Sequence, residues 1–196
     1  MVLVQDSLET SRVEAIKFSG PDRKSFALHS LEVKDIFDNP YEFYAFHNAI
    51  YDEGEWFLIS EEPCAKPLVI SSGMYNTFQW RFQFLTVPEI KAKYDLENIT
   101  VFDRDIIVHQ RHVRSGFSHI LMDELQPLYF IKKCILQDGR MTILNMPNPD
   151  PQRAFSLKEF PQGWDWFLKN LLGAELVFPG ELKGPVFFSR IVTGWV

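Results

Sequence analysis

Residues 111–129, RHVRSGFSHILMDELQPLY, gather the side chains of this chain best suited to chemistry. Arg111, His112 and Arg114 crowd basic groups onto a Gly-containing turn. His119 and Asp123 follow at a spacing of four, with Glu124 beside Asp123 and Pro127 one turn further on. Upstream, Asp105–His109 (DIIVH) reads as a strand. Downstream, the apolar positions Phe117, Ile120, Leu121, Leu125, Leu128 and Ile131 recur every three or four residues, the period of a helix. A helix start offers unpaired N–H groups and a partial positive charge. With the basic turn added, it suits a phosphorylated or carboxylated ligand. His119, Asp123 and Glu124 are the candidate acid–base groups by type. Arg111 and Arg114 are the candidate substrate-binding groups, through charge and positioning. Each has a structural alternative. His119 can cap or pack at the helix start, and Arg111 can bridge a buried carboxylate. His119 and Asp123 can form a surface pair worth about 0.2–0.5 kcal/mol. If His119 only supports the architecture, the next carboxylates in line for a base are Asp103, Asp105 and Glu124.

Those groups need rigid elements to hold them. In the first half, Tyr41–Ile50 is aromatic and strand-like, Asp52–Glu55 is a turn, and Trp56–Ser60 is a continuous apolar strand. Pro67–Ser71 is a further short strand. A helix over Val87–Tyr94 follows a Thr86 cap and has Pro88 in its first turn. The second half alternates more regularly. A strand region at Asn98–His109 leads to a helix over Phe117–Gln137, which Pro127 should kink or split. Arg140–Met146 is a strand, and Ser156–Leu172 is helical, with Pro161 and Gly163 delaying its start and Gly173 ending it. Strands at Ala174–Phe178 and Pro185–Val192 complete the series. Alternating strands and helices predict parallel βαβ units, with Ile106–Val192 forming parallel strands covered by helices. The predicted class is α/β, with a mixed, β-rich part over 1–100 and a βαβαβ region over 101–196.

The composition narrows the function. A chain of 196 residues with 46% hydrophobic and 15% aromatic residues can bury a real core. A net charge of −6 disfavours a dedicated nucleic-acid binder, whose surface needs basic excess. No apolar run is long enough to span a bilayer, and the first residues lack the pattern of a signal peptide. Taken as it stands, the chain reads as cytosolic. No Cys/His spacing suggests zinc. Cys64 and Cys134 leave a disulfide and two free thiols equally open. Asn98, Ile99 and Thr100 make a glycosylation triplet, which from sequence alone is more often an ordinary polar turn. Trp164 and Trp166 read as core residues rather than as sugar-stacking platforms.

The run from His119 to Tyr129 resembles the animal branch of glycosyltransferase family 61, which holds the protein-O-mannose β-1,4-N-acetylglucosaminyltransferases and the EGF-domain-specific O-GlcNAc transferases. The first of these carry an Arg and, some residues later, a segment reading roughly His-x-x-His-Asp-(Asp/Glu)-Leu-Leu-Pro-Leu-(Phe/Tyr). Here Arg111 stands in the Arg place, His119 in the first His place, and Asp123 and Glu124 in the acidic pair. Pro127, Leu128 and Tyr129 close the match, and Met122 replaces the second His. The helix around Trp166–Leu172, then Glu175, and then Val186–Gly194 follow in the family's order. Phe187 stands where members usually have Cys. The likeness covers the second half of the chain clearly and the region from His47 to Ser72 faintly.

The resemblance implies a GT-B architecture of two Rossmann-like halves with a nucleotide sugar, usually UDP-linked, between them as substrate, and no separate cofactor. It implies a glycan or glycoprotein acceptor, an ER or Golgi lumenal location, and a membrane anchor lying outside this sequence. It also implies that this chain is the acceptor-side half, a fragment ending before the donor-binding half, and inactive alone. The alternative from another class is a non-catalytic α/β binding module that kept the fold and lost the donor half.

Overall fold

The computed structural model describes residues 8–18, 41–72, 78–110, 125–137, 139–146 and 163–193. In chain order the strands are β1 (Arg12–Phe18), β2 (Tyr41–Asp52), β3 (Glu55–Ser60), β4 (Leu68–Ser72), β5 (Phe78–Thr86), β6 (Thr100–Gln110), β7 (Met141–Met146), β8 (Ala174–Val177) and β9 (Val186–Thr193). The helices are α1 (Val87–Lys93), α2 (Gln126–Phe130), which runs into a π-helical turn (Ile131–Ile135), and α3 (Gly163–Leu171). All nine strands of the described residues join one sheet in the order β4-β5-β3-β2-β9-β6-β7-β8, with β1 paired to β2. Over the described residues the fold is mixed α/β: a large mixed sheet with few helices.

The expected parallel region is present. β6 pairs parallel with both β9 and β7, and β7 with β8. β2 runs antiparallel to β9 and β3, whereas β3 and β5 are parallel. Glu53 (φ 48°) and Gly54 (φ 95°) both take positive φ between β2 and β3. That is the two-residue hairpin geometry whose twist matches the strands it joins.

β5 is a strand that the sequence reading leaves unassigned. Its period of two was nonetheless present: Trp80 and Phe82 are buried and Phe84 partly so, whereas Arg81 and Gln83 are exposed. α1 begins at Thr86 as expected. The Thr86 hydroxyl accepts from the Glu89 backbone N–H at 3.5 Å, and the Glu89 carboxylate accepts from the Thr86 N–H at 2.7 Å. The Thr86 backbone bond first, and its hydroxyl second, hold the Glu89 carboxyl below the usual range.

The helix predicted over Phe117–Gln137 is seen from Leu125 onward, and 117–124 lie outside the described residues. Pro127 lies in the first turn of the described α2, where its missing N–H does no harm; the stretch before it, on which the expected kink depends, lies outside the described residues. After α2 the chain passes into a π turn in which the Leu136 N–H bonds to the Ile131 carbonyl at 3.0 Å. α3 is described from Gly163, with 156–162 outside the described residues, and Gly173 at φ 62° follows its end.

Side chains alternate across the sheet into separate clusters. On one face, Leu128 of α2, Ile131 of the π turn and Leu168 of α3 pack over Phe43, Ile107, Ile143 and Val192. On the same face, Ile90 of α1 packs over Ile50, Phe57 and Phe187. The other face carries Phe46, Trp56, Phe82, Val108, Leu144 and Phe188. α2 and α3 connect β6 to β7 and β7 to β8 on the first face. The link from β8 back to β9 sends Leu182 into the opposite cluster. Connections of one hand produce this arrangement when the direction of travel across the sheet reverses.

Phe46 is fully buried and stacks on Phe82 with centroids 4.3 Å apart. We expect Phe46→Ala to cost about 3–5 kcal/mol, measured as a lower urea midpoint with the same slope. A loss under about 1 kcal/mol would show that the cluster is not a packed core.

Candidate functional site

The order of the parallel strands reverses between β9 and β6. From β6 the chain moves to β7 and β8, then returns to place β9 on the other side of β6. In open α/β sheets, ligands bind outside the carboxyl ends of the strands at such a reversal. Here the carboxyl ends carry Thr193 on β9, His109 on β6 and Asn145 on β7. Thr193 donates its hydroxyl hydrogen to the Val108 carbonyl at 3.1 Å, tying β9 to β6 at this end. His109 has no exposed surface and is the register partner of Asn145. The Asn145 Oδ1 is buried with no hydrogen-bond partner among the described residues. Three polar side chains thus close three apolar strands at one edge. From sequence, His109 and Asn145 read only as strand residues, and Thr193 falls just past the expected strand Pro185–Val192, inside the family-like run Val186–Gly194. The signal available was a polar residue ending each apolar run.

The five residues singled out for catalysis and binding, Arg111, Arg114, His119, Asp123 and Glu124, all lie outside the described residues. Arg111 directly follows Gln110, the last residue of β6. The reserve carboxylates are described. Asp105 is engaged by Arg190, whose Nη1 donates to its Oδ2 at 2.7 Å. Asp103 is exposed, where the β6–β9 register shifts between Phe102 and Asp105. Glu175 of β8, within the region of family likeness, lies 3.0 Å from both Arg104 of β6 and Arg140, the residue before β7.

Two other expectations are settled by exposure. Trp166 is 54% exposed, so its core reading is wrong; Leu168 and Leu172 fill that role from the same helical region. A helix buries only the stripe facing the sheet, and Trp166 lies off it. Cys64 is a free, exposed thiol on the link from β3 to β4. Among the described residues, no helix is long and apolar enough to cross a membrane.

The opposite edge, at the amino ends of β6 and β9, carries a second polar group. The Tyr94 hydroxyl donates to Asp52 Oδ2 at 3.2 Å, and the Lys93 ammonium stands 3.5 Å from the same oxygen. Lys93 also lies over the Phe57 ring at 4.2 Å. Asp95, Asn98 and Pro185 complete an open groove of about 350 Å³ around them. Forty-two positions separate Asp52 from Tyr94, so no local pattern announces the contact. Burial pushes the Tyr94 hydroxyl up; Lys93 opposes this and Asp52 adds to it. Burial also pushes Tyr51 up, against a backbone bond to Gly54. For Lys93, burial works downward, but Tyr94 and Asp52 outweigh it and hold the ammonium above its ordinary value.

Compared with known proteins, the chain matches no family model and no curated protein.

The raised tyrosines fix a pH dependence. Below the ordinary value of 10.0, both phenols are neutral in the folded and the unfolded chain. As pH rises past that value, the unfolded chain loses its protons first, so stability falls until the folded pKa is passed. Lys93 acts in the same direction as its ammonium deprotonates. The urea midpoint should therefore drop above pH 10, and Tyr94→Phe should flatten that drop. An unchanged pH profile in the variant would show that Tyr94 carries none of it.

Proposed function

We propose that this chain forms the acceptor-side half of a GT-B glycosyltransferase, in which a Rossmann-like sheet presents its reversal point to a nucleotide-sugar donor. The reading rests on one observation above the others. The parallel strand order turns at β9–β6, and the segment carrying Arg111, Arg114, His119, Asp123 and Glu124 is joined to the carboxyl end of β6. The resemblance of that segment to glycosyltransferase family 61 supports it independently. The donor is a UDP-linked sugar and the acceptor a glycan or glycoprotein hydroxyl, met in the ER or Golgi lumen.

The chemistry follows from the residue types. The acceptor oxygen attacks the anomeric carbon, the bond from that carbon to the diphosphate breaks, and the nucleoside diphosphate leaves with the electron pair. His119 takes the acceptor proton, with Asp123 and Glu124 close enough in sequence to orient or replace it. Arg111 and Arg114 stabilise the negative charge that grows on the diphosphate.

Half a crevice holds a ligand weakly, because a cleft ligand takes contacts from both walls. Calorimetry with UDP and UDP-GlcNAc should therefore give weak binding and no transfer by this chain alone. Tight binding would put the whole donor site within these residues.

In an enzyme that contains both halves, His119→Ala should lower the transfer rate roughly 10²–10⁴-fold with an unchanged melting temperature. Arg111→Ala should do likewise, with the larger effect on donor use. The reverse pattern, a lowered melting temperature with full specific activity, would make both residues architectural.

A further inference from the structure

We propose that Asn98 is an N-glycan acceptor, and that the groove bounded by Asp52, Lys93, Tyr94, Asp95 and Pro185 is the space its first sugar occupies. The proposal rests on the lumenal location given above, because N-glycan transfer takes place only there. Asn98, Ile99 and Thr100 have the required residue types, but such triplets are frequent by chance. The fold adds what the triplet lacks. Ile99 is buried among Ile90, Tyr94 and Leu96, whereas Asn98 and Thr100 on either side are exposed. One inward anchor thus turns the acceptor amide and the essential hydroxyl outward together.

Nothing rigid holds the amide back. Asn98 Nδ2 donates to the exposed Asp95 carboxylate at 2.8 Å. Water can replace that partner at little cost. Asn98 closes the short turn after α1, its N–H bonded to the Asp95 carbonyl at 3.2 Å, just before β6 begins. A glycan here leaves every ladder hydrogen bond of the sheet in place. The groove beside it is open and polar, and offers the Lys93 ammonium and the Asp52 carboxylate to sugar hydroxyls. It lies at the amino edge of β6 and β9. The acceptor crevice proposed above is at their carboxyl edge, so the modification leaves that crevice clear.

The step balances with a polyprenyl-diphosphate-linked oligosaccharide as co-reactant. The Asn98 amide nitrogen attacks the anomeric carbon, and a C–N bond forms. The bond from that carbon to the diphosphate oxygen breaks, and the lipid diphosphate leaves with the electron pair. One amide proton passes to base.

The test uses the full chain behind a cleavable signal peptide, translated with microsomes. The expected result is a protease-protected product of slowed mobility, reversed by peptide-N-glycosidase. Asn98→Gln and Thr100→Ala should abolish the shift, and Thr100→Ser should retain it in part. A protected product without the shift overturns the proposal, as does a shift that survives Asn98→Gln. Because the signal peptide supplies the compartment, either result leaves the transferase reading to its own test with UDP-sugars. Trimming to a single N-acetylglucosamine should keep the thermal stabilisation given by the full glycan. Loss of all stabilisation on trimming would overturn the role of the groove.

Discussion

The sheet depends on β9. It is the last strand in the chain and sits in the middle of the sheet, antiparallel to β2 on one edge and parallel to β6 on the other. Remove it, and the β4-β5-β3-β2 group has no contact through the ladder with β6-β7-β8. Its sequence matches the position. Val186, Phe187, Phe188, Ile191, Val192 and Thr193 are all buried, so both faces are covered. Only Ser189 and Arg190 in its middle are partly open, and Arg190 reaches Asp105 across the register shift in β6. An ion pair at a shift costs no ladder bond that was not already lost, and it fixes the register on either side.

On the face without the described helices, aromatic packing takes over. Trp56 lies between Tyr51, Phe82 and Phe188, with centroids 4.8, 6.0 and 5.7 Å away. Phe102 stacks on Phe188 at 5.3 Å. These rings come from β2, β3, β5, β6 and β9, so one cluster spans both halves of the sheet. Large flat side chains fill the space over these strands, where no described helix packs. β2 joins this cluster to the opposite one through Asn48, whose φ of 60° interrupts the simple alternation of its side chains. At that residue β3 leaves the edge of β2 and β1 takes its place. Ser11 closes the fork by donating its hydroxyl to the Asn48 carbonyl while accepting from the Ile59 N–H at 2.6 Å.

The two edges of the parallel strands differ in character. At the carboxyl edge Thr193 and His109 are buried at the strand ends and Asn145 partly so, and long connections depart from β6 and β7. At the amino edge the links are short, and Asp52, Lys93 and Tyr94 contact one another in an open groove where Lys93 and Asp52 stay partly exposed. The first arrangement suits a ligand held by connecting segments. The second suits a latch between the β2–β3 hairpin and the end of α1, made by the Tyr94 hydroxyl and the Lys93 ammonium on the Asp52 carboxylate.

What could be read from the sequence was local and periodic. The strands Trp56–Ser60 and Arg140–Met146, the Thr86 cap and the parallel run of β6, β7, β8 and β9 all follow from short-range patterns. The Asn98 triplet and the acid–base types of His119, Asp123 and Glu124 were equally visible. β5 went unassigned although Ser71–Gly73 before it and the Thr86 cap after it frame the alternation of Trp80, Phe82 and Phe84. Other features required the tertiary structure. Trp166 was misread because helix composition does not say which stripe meets the sheet. No spacing could have brought Asp52 to Tyr94, or β9 between β2 and β6, since such contacts are set by which apolar faces bury one another. Sequence determined the elements and the chemical types; packing of those faces decided which strand lies at the centre and which edge carries the reversal.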